Sequence, residues 1–351
     1  MSGVSLIRCG EDSRADWLLE RLRLPPGSSV CASEGWTPPE TPARLLFLLT
    51  VDELGPSETL ARLLRRLRAL PETALDGNLA GVIVLGRTEL DTKDLGRRLI
   101  FTLNLASCGF PEGPLAEATG SMRNLAVTRR NHGLSSLEEA CVFAAQGLVD
   151  RLTGFVPRGY EEPRLLVLHA SERSTSNTLA LSELVLASLD PRFQVRTLSL
   201  RNGAIEDCRG CGYQVCSHFA SKGACFYGGS ISQEVLPAVQ ECEALLLLLP
   251  NYNDSVGANV MAFINRLTSL HVSRAIRGQR LYALVVSGYS GGDLVAQQAM
   301  GALCLNKRFL LPPRFCLMAT ANDPGQALLL PGIREKAAAF AARMGRELLN
   351  K

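Results

Sequence analysis

Leu165-Leu-Val-Leu-His-Ala-Ser-Glu-Arg-Ser-Thr-Ser-Asn-Thr178 is the stretch on which the fold turns. A short apolar run stops at a cluster of hydroxyl, amide and guanidinium side chains, and a helical pattern begins directly after it. That layout predicts a strand feeding a helix whose first turn holds a phosphate. The free N–H groups of a helix N-terminus, with its dipole, form an anion site without further machinery. Ser171, Ser174, Thr175, Ser176 and Thr178 offer hydroxyls, Asn177 an amide, and Arg173 a guanidinium suited to phosphate oxygens. The same residue types crowd helix starts for capping alone, so the stretch by itself leaves both readings open.

Two stretches downstream share the layout. Residues 244–249 (Ala-Leu-Leu-Leu-Leu-Leu) read as a strand buried on both faces, ending at Pro250-Asn-Tyr-Asn-Asp-Ser-Val-Gly257 before a helix with Met261, Ile264 and Leu267. Residues 281–286 (Leu-Tyr-Ala-Leu-Val-Val) form another, ending at Ser287-Gly-Tyr-Ser-Gly-Gly292 before a third helix. Continuous apolar strands, each followed by a polar or glycine-rich loop and a helix, describe a doubly wound α/β domain with a parallel sheet. Ligands of such domains sit outside the carboxyl ends of the strands, where the three loops converge. Hydroxyls and an arginine, then Tyr252 with two asparagines, then a Gly/Tyr turn, suit a ligand with one phosphate and a flat polar ring system.

The loop at 170–178 resembles the Gly-Ser-x-Arg-x-x-Ser-x-Thr phosphate loop of NADPH-dependent FMN reductases, with Ala170 for the glycine and Glu172 at a site often proline. Pro250-x-Tyr252 followed by Ser255-Val-x-Ala-x-x-Met-Ala-Phe-Ile-Asn-Arg266 resembles that family's second FMN loop and the helix after it. Ser287-Gly-Tyr-Ser-Gly-Gly292 is similar to its third. The match spans about residues 163–350. It implies a flavodoxin-like domain over 164–351 in which Ser171, Arg173, Ser176, Asn177 and Thr178 hold the phosphate of FMN. Pro250, Asn251, Tyr252 and Asn253 would lie along the isoalloxazine edge, and Ser287, Gly288, Tyr289 and Gly291 would close the other side. The implied activity is that of an enzyme, an NAD(P)H-dependent oxidoreductase. It moves a hydride from nicotinamide to FMN and on to a quinone, flavin, metal or protein acceptor, with no side chain serving as acid or base. Two other readings stay open: an electron carrier without nicotinamide activity, and a scaffold that has lost FMN.

Eleven cysteines are many for 351 residues, and four fall in one loop: Cys208-x2-Cys211-x4-Cys216-x8-Cys225. Converging thiolates select zinc or an iron–sulfur cluster. The chain here resembles the iron–sulfur flavoproteins, relatives of the FMN reductases with a compact cysteine motif at this point. In those, the first three cysteines are spaced two residues apart, whereas Cys216 comes two residues late. A [4Fe–4S] cluster on Cys208, Cys211, Cys216 and Cys225, a structural zinc with His218 as a spare ligand, and free thiols all remain open. Cys9, Cys31, Cys108, Cys141, Cys242, Cys304 and Cys316 sit mostly in apolar surroundings and read as small buried hydrophobes.

The first half is less explicit. Strands are expected at Leu45–Val51, Gly81–Leu85 and Asn124–Val127, helices at 57–70, 92–105 and 135–155, and a loop from Gly109 to Gly120. This βαβα rhythm suggests a degenerate flavodoxin-like copy over residues 1–155, joined by a proline-bounded linker at 156–163. Its phosphate loop is expected to be lost, since Asp52 and Glu53 follow Val51. FMN reductases of this kind usually pair with flavin sites near the subunit contact, so either a homodimer or an intrachain pseudo-dimer is expected. A net charge of +3 implies no general affinity for nucleic acid or membranes. The longest apolar run is far too short to span a bilayer, and Met1–Ile7 lack the features of a secretion signal, so a cytoplasmic protein is expected. Its partners would be a small-molecule electron donor and acceptor, or a redox protein. Arg173→Ala should weaken FMN binding by about 2 kcal/mol, the worth of one charge-assisted contact, measurable by calorimetry.

Overall fold

The computed structural model describes residues 3–171, 175–201, 203, 205–273 and 275–350, which form two compact units, Met1–Val156 and Pro157–Lys351. In the first, strands β1 (Val4–Cys9), β2 (Ser29–Ala32), β3 (Arg44–Val51), β4 (Leu79–Gly86) and β5 (Leu115–Ala118) alternate with helices α1 (Ser13–Leu19), α2 (Glu58–Arg68), α3 (Thr92–Leu105), α4 (Ala126–His132) and α5 (Leu137–Gly154). In the second, β6 (Arg164–His169), β7 (Gln194–Ser199), β8 (Ala244–Pro250), β9 (Arg280–Ser287) and β10 (Cys316–Thr320) carry the sheet. Helices α6 (Asn177–Ala187), α7 (Tyr213–Ala220), α8 (Leu236–Glu241), α9 (Ala258–Arg266), α10 (Thr268–Val272), α11 (Gly292–Met300) and α12 (Ile333–Leu348) complete it.

Both sheets are parallel throughout. Their strand orders are β2-β1-β3-β4-β5 and β7-β6-β8-β9-β10, so each unit counted from its own first strand reads 2-1-3-4-5. This is the flavodoxin-like order, whose direction of winding reverses beside the first strand. In the C-terminal unit the reversal lies at β6, which pairs with β7 on one side (Leu165↔Val195) and β8 on the other (Leu165↔Ala244).

The apolar runs explain the layering. Ala244 to Leu249 are completely buried, as strands covered by helices on both faces must be. Each buried leucine contributes roughly 1.5–3 kcal/mol relative to exposure. On one face Leu165, Val167, Leu246, Leu248, Tyr282 and Leu284 meet Leu181 and Val185 of α6 and Phe340 and Met344 of α12. Strand β7 lies at the edge, mostly exposed, and its sequence Gln-Val-Arg-Thr-Leu-Ser is correspondingly mixed.

Three elements of the first half differ from expectation. The segment 124–127, expected as a strand, is a 3₁₀ turn running into α4. The Asn124 carboxamide accepts from the backbone and hydroxyl of Thr119 and donates to the Glu117 carbonyl, turning the chain back on itself. The Gly109–Gly120 segment is not all loop: it contains the edge strand β5, four residues paired to β4. Strand β1 is the true first strand, so the counterpart of the 170–176 loop is Gly10–Asp12 rather than the residues after Val51. Among the described residues, no helix is long and apolar enough to cross a membrane.

Phe340 is 1% exposed and meets the Tyr282 ring edge-on at 5.9 Å, joining the last helix to the sheet. Phe340→Ala should cost about 3–5 kcal/mol of stability through lost burial and the cavity it leaves; urea unfolding would measure it.

Candidate functional site

The carboxyl ends of four strands of the C-terminal sheet surround a cavity of about 770 Å³. Ala170, Ser171, Thr175, Ser176, Asn177 and Thr178 reach it from the turn between β6 and α6. Pro250, Asn251 and Tyr252 come from the end of β8, Val286, Gly288 and Tyr289 from the end of β9, and Ala321, Asn322 and Pro324 from beyond β10. Of the residues that the resemblance assigns to FMN, nine line it together: Ser171, Ser176, Asn177, Thr178, Pro250, Asn251, Tyr252, Gly288 and Tyr289. Asn253, Ser287 and Gly291 stand in the same loops but outside the lining. Arg173 lies outside the described residues, with Glu172 and Ser174.

The turn before α6 is a network of hydroxyls. Ser176 is the helix N-cap, accepting from the Leu179 N–H at 3.4 Å, while its hydroxyl also meets Ser171 Oγ at 3.2 Å and Thr178 Oγ1 at 2.9 Å. Capping and a polar cradle are therefore realised by the same side chain. Asn177 also has a use that the sequence did not suggest. Its amide donates to the carbonyls of Ala321 and Asp323, and its oxygen accepts from the Ala327 N–H. The side chain is thus committed to holding the loop after β10, which leaves its place in the helix's first turn as its offering to an anion.

The loops after β8 and β9 are bound to each other. Asn253 and Asp254 adopt left-handed conformations (φ 53° and 56°), closing a tight turn in which Tyr252 and Ser255 bridge. Asn251 Nδ2 donates to Asp254 Oδ1 at 3.2 Å and to the Ser290 carbonyl at 3.1 Å. Gly291, at φ 88°, sits where a Cβ would collide with the Asp254 carboxylate, so the approach of the two loops requires glycine there. Two buried polar atoms at this rim, Asn251 Oδ1 and Ser287 Oγ, have no hydrogen-bond partner in the protein. Tyr252 and Tyr289 are 63% and 80% exposed, two aromatic rings left in solvent at the cavity.

Two contributors escaped the sequence reading. Asn322 follows the short strand β10, whose Cys-Leu-Met-Ala-Thr gives a weak signal; its Oδ1 stands 2.8 Å from where a Cβ on Gly288 would be. His169, inside the decisive stretch yet assigned no role, ends β6 with Nδ1 3.0 Å from the Ser171 carbonyl. Burial lowers its pKa below the ordinary histidine value, and the Ser171 contact offsets this only in part.

Cys208, Cys211, Cys216 and Cys225 come together around a second, smaller pocket with Phe219, Phe226, Tyr227 and Arg266. His218 is not in its lining; its ring meets Phe219 edge-on at 5.2 Å. Burial raises the Cys216 thiol pKa, and the neighbouring Cys211, Cys208 and Cys225 push the same way. Among the described residues, no three His, Cys, Asp or Glu side chains are arranged to hold a metal ion. The other cysteines are buried except Cys31, and burial pushes Cys9 and Cys141 up to about 11 and Cys242 up to about 12.

The corresponding edge of the N-terminal unit holds an anion of its own. Asp12 caps α1, accepting from the Arg14 N–H at 2.7 Å and from Arg87 Nε at 2.9 Å. Burial works to raise the Asp12 carboxyl, but these two donors outweigh it and hold it below the usual range. The Arg14 guanidinium bonds the carbonyls of Gly86 and Gly120 at the ends of the neighbouring β4 and β5. Arg129 and Arg130 are exposed on the surface of α4.

The model of one family, NADPH-dependent FMN reductase, matches residues 163–323. No curated protein matches the chain in sequence. Among solved structures, an FMN-dependent NADH-azoreductase from Bacillus anthracis str. Ames Ancestor in complex with FMN is 12% identical. That match covers 52% of this chain and 99% of the azoreductase, with a TM-score of 0.36. An NAD(P)H:quinone oxidoreductase from Methanothermobacter marburgensis is 16% identical over 53% of this chain and 96% of its own, with a TM-score of 0.35. The Trp repressor binding protein from Bacillus subtilis is 16% identical over 50% and 96%, with a TM-score of 0.34.

His169 gives the site a dependence on pH. Its folded pKa is lowered, so the unfolded chain takes up a proton first on acidification, and the stability of the neutral form is lost as pH falls below 6.5. Calorimetric melts of His169→Gln between about pH 7 and pH 5 should show a smaller drop in Tm than the parent chain. Part of the drop should persist through His271, which burial shifts in the same direction.

Proposed function

We propose, from the match of residues 163–323 to the NADPH-dependent FMN reductase family model, that the cavity at the C-terminal sheet edge binds FMN and serves an NAD(P)H-dependent reduction. The observation that carries this is the meeting of the hydroxyl-rich first turn of α6 with the loops after β8 and β9 around one cavity. Its volume, about 770 Å³, lies in the range of small-molecule sites. Buried polar atoms are rarely left without partners, so Asn251 Oδ1, unpartnered within the protein on a residue that lines the cavity, favours a ligand with polar ring edges.

When bound, FMN would accept a hydride from the nicotinamide and hand electrons to an acceptor. The chain supplies position and polarity. Ser171, Ser176 and Thr178 present hydroxyls to the phosphate beside the N–H groups of the α6 terminus, and Arg173 is assigned to the same group. Asn177 holds the β10 loop against this cradle. Pro250, Asn251, Tyr252 and Asn253 supply the ring-edge loop, which Asn251 ties to the loop containing Ser287, Gly288, Tyr289 and Gly291. The exposed faces of Tyr252 and Tyr289 leave aromatic surface for a nicotinamide or an acceptor ring. In the N-terminal unit the Asp12 carboxylate takes the place of an external anion, which favours reading that unit as a flavodoxin-like copy without flavin.

A second reading is favoured by the cysteine pocket. Four thiols border one space that aromatic rings shield. Thiolates are soft ligands, so a [4Fe–4S] cluster on Cys208, Cys211, Cys216 and Cys225 is a centre this donor set would select once drawn together. Such a centre would let the chain exchange single electrons with FMN.

Ser171→Ala removes one hydroxyl from the phosphate cradle. Titration calorimetry should show FMN affinity reduced by about 1.5–3 kcal/mol with riboflavin affinity unchanged. No heat with FMN in the parent chain would refute the flavin reading outright.

A further inference from the structure

Helix α7 carries a thiol on either side of its first turn. Gly212 is its N-cap, so Cys211 is the residue just ahead of the cap and Cys216 the fourth of the helix. Those two positions face each other across a helix start: the residue before the cap folds back over the fourth, as in the hydrophobic staple. Cys216 shares its side of the helix with Phe219 and the buried Ala220, three and four residues on, and Phe219 lines the cysteine pocket together with Cys211 and Cys216. The two thiols are hydrogen-bonded to each other. The space they border with Cys208 and Cys225 is about 20 Å³, room for roughly one water molecule, so the sulfurs surround no larger void.

The ends of the cysteine segment are held by α9. Arg266 donates to the Glu206 carbonyl at 3.4 Å, ahead of Cys208, and to the Gly228 carbonyl at 2.7 Å, beyond Cys225, while Asn265 donates to Asp207 Oδ1 at 2.9 Å. Between these anchors Cys211 is flanked by Gly210 and Gly212, and at neither glycine does any atom lie within 4 Å of where a Cβ would stand. Cys211 therefore has room for the small shift that turns a thiol contact into an S–S bond. Accessibility also sets this pair apart. Cys211 and Cys216 are partly exposed, whereas of the seven cysteines outside the pocket all but Cys31 are buried, where apolar surroundings keep a thiol inert.

We propose that Cys211 and Cys216 form a reversible thiol–disulfide site that takes low-molecular-weight disulfides as its oxidant. Cys211, in the exposed segment ahead of the helix, attacks one sulfur of the incoming disulfide as a thiolate and expels a thiolate, leaving a mixed disulfide. Cys216 then attacks the Cys211 sulfur and expels the second. Two S–H bonds of the protein and one external S–S bond become one internal S–S bond and two free thiols, so the protein gives two electrons and two protons to the departing pair. A bridge that closes so short a loop constrains the unfolded chain little, which suits a bond made and broken in use more than a scaffold. The bridge and a metal centre on the same sulfurs exclude each other, and the exchange requires no flavin.

The test treats the full chain, reduced and then freed of reductant, with glutathione disulfide, blocks the remaining thiols with iodoacetamide and digests with trypsin. Cleavage after Arg209 and Lys222 isolates Gly210–Lys222, which holds Cys211 and Cys216 but neither Cys208 nor Cys225. That peptide should be recovered unalkylated and two hydrogens lighter than its dithiol, and dithiothreitol should restore alkylation at both cysteines. Cys216→Ser should stop at the mixed disulfide, with glutathione on Cys211. The native chain should close the bridge severalfold faster than the chain in urea, because nearness in sequence is common to both states and the helix start belongs only to the first. Recovery of the parent peptide with both cysteines alkylated, with glutathione on each, or bridged to Cys208 or Cys225 would overturn the proposal. Equal rates in native buffer and in urea would overturn it as well, as would a parent chain whose four thiols resist exchange because they hold iron and sulfide.

Discussion

A parallel strand delivers the chain to the carboxyl edge of its sheet, and the helix that follows must start there. Everything in the C-terminal unit depends on that constraint. Because winding reverses at β6, the helices after β6 and β8 depart to different faces, and a crevice is left between the loops that feed them. The chain spends side chains on keeping this crevice shaped. Asn177 anchors the β10 loop, Asn251 binds the β8 and β9 loops together, and Gly291 lets them approach. The cradle itself is built mainly from neutral donors, hydroxyls and backbone N–H, whose worth rises when the group they face is charged.

The two units share a strand order and differ in what stands at the first turn. In one, hydroxyls gather around a helix start. In the other, Asp12 supplies the negative charge and two arginines answer it or tie neighbouring strand ends. The same architecture can thus be stabilised with or without an external anion. The difference lies in a handful of side chains at one loop, a reminder that a fold fixes where a site can be and its residues fix whether it is one.

Much of the C-terminal architecture was legible because its central strands are continuous apolar runs, such as Ala244–Leu249, that no surface strand would tolerate. Two other strands were harder to see. Val4–Cys9 carries Ser5 and Arg8, and Cys316–Thr320 is only five residues long, so neither declares itself, and without β1 the wrong loop was compared with the phosphate turn. The segment 124–127 is apolar enough for a strand, but Asn124 turns it into a helix start through tertiary bonds to Thr119 and Glu117 that local pattern cannot reveal. At the site, the loops were found by residue type, yet the use of Asn177 depends on the loop after β10, which lies outside every motif and to which Asn322 belongs. Arg266 belongs to the same class: its meaning lies in the carbonyls it faces.

Helix α9 has a further property that follows from its two anchors. Asn259 near its start donates to the Leu200 carbonyl at 2.8 Å, and Arg266 at its end grips the segment that continues from there. The two residues are seven positions apart, close to two full turns, so both face the same flank of the helix. One inserted residue would swing Arg266 by about 100° while advancing it only about 1.5 Å. Variation in length, which the loops at the sheet edge can absorb, is therefore barred here: the angular phase of nine residues keeps the two pockets of the domain in register.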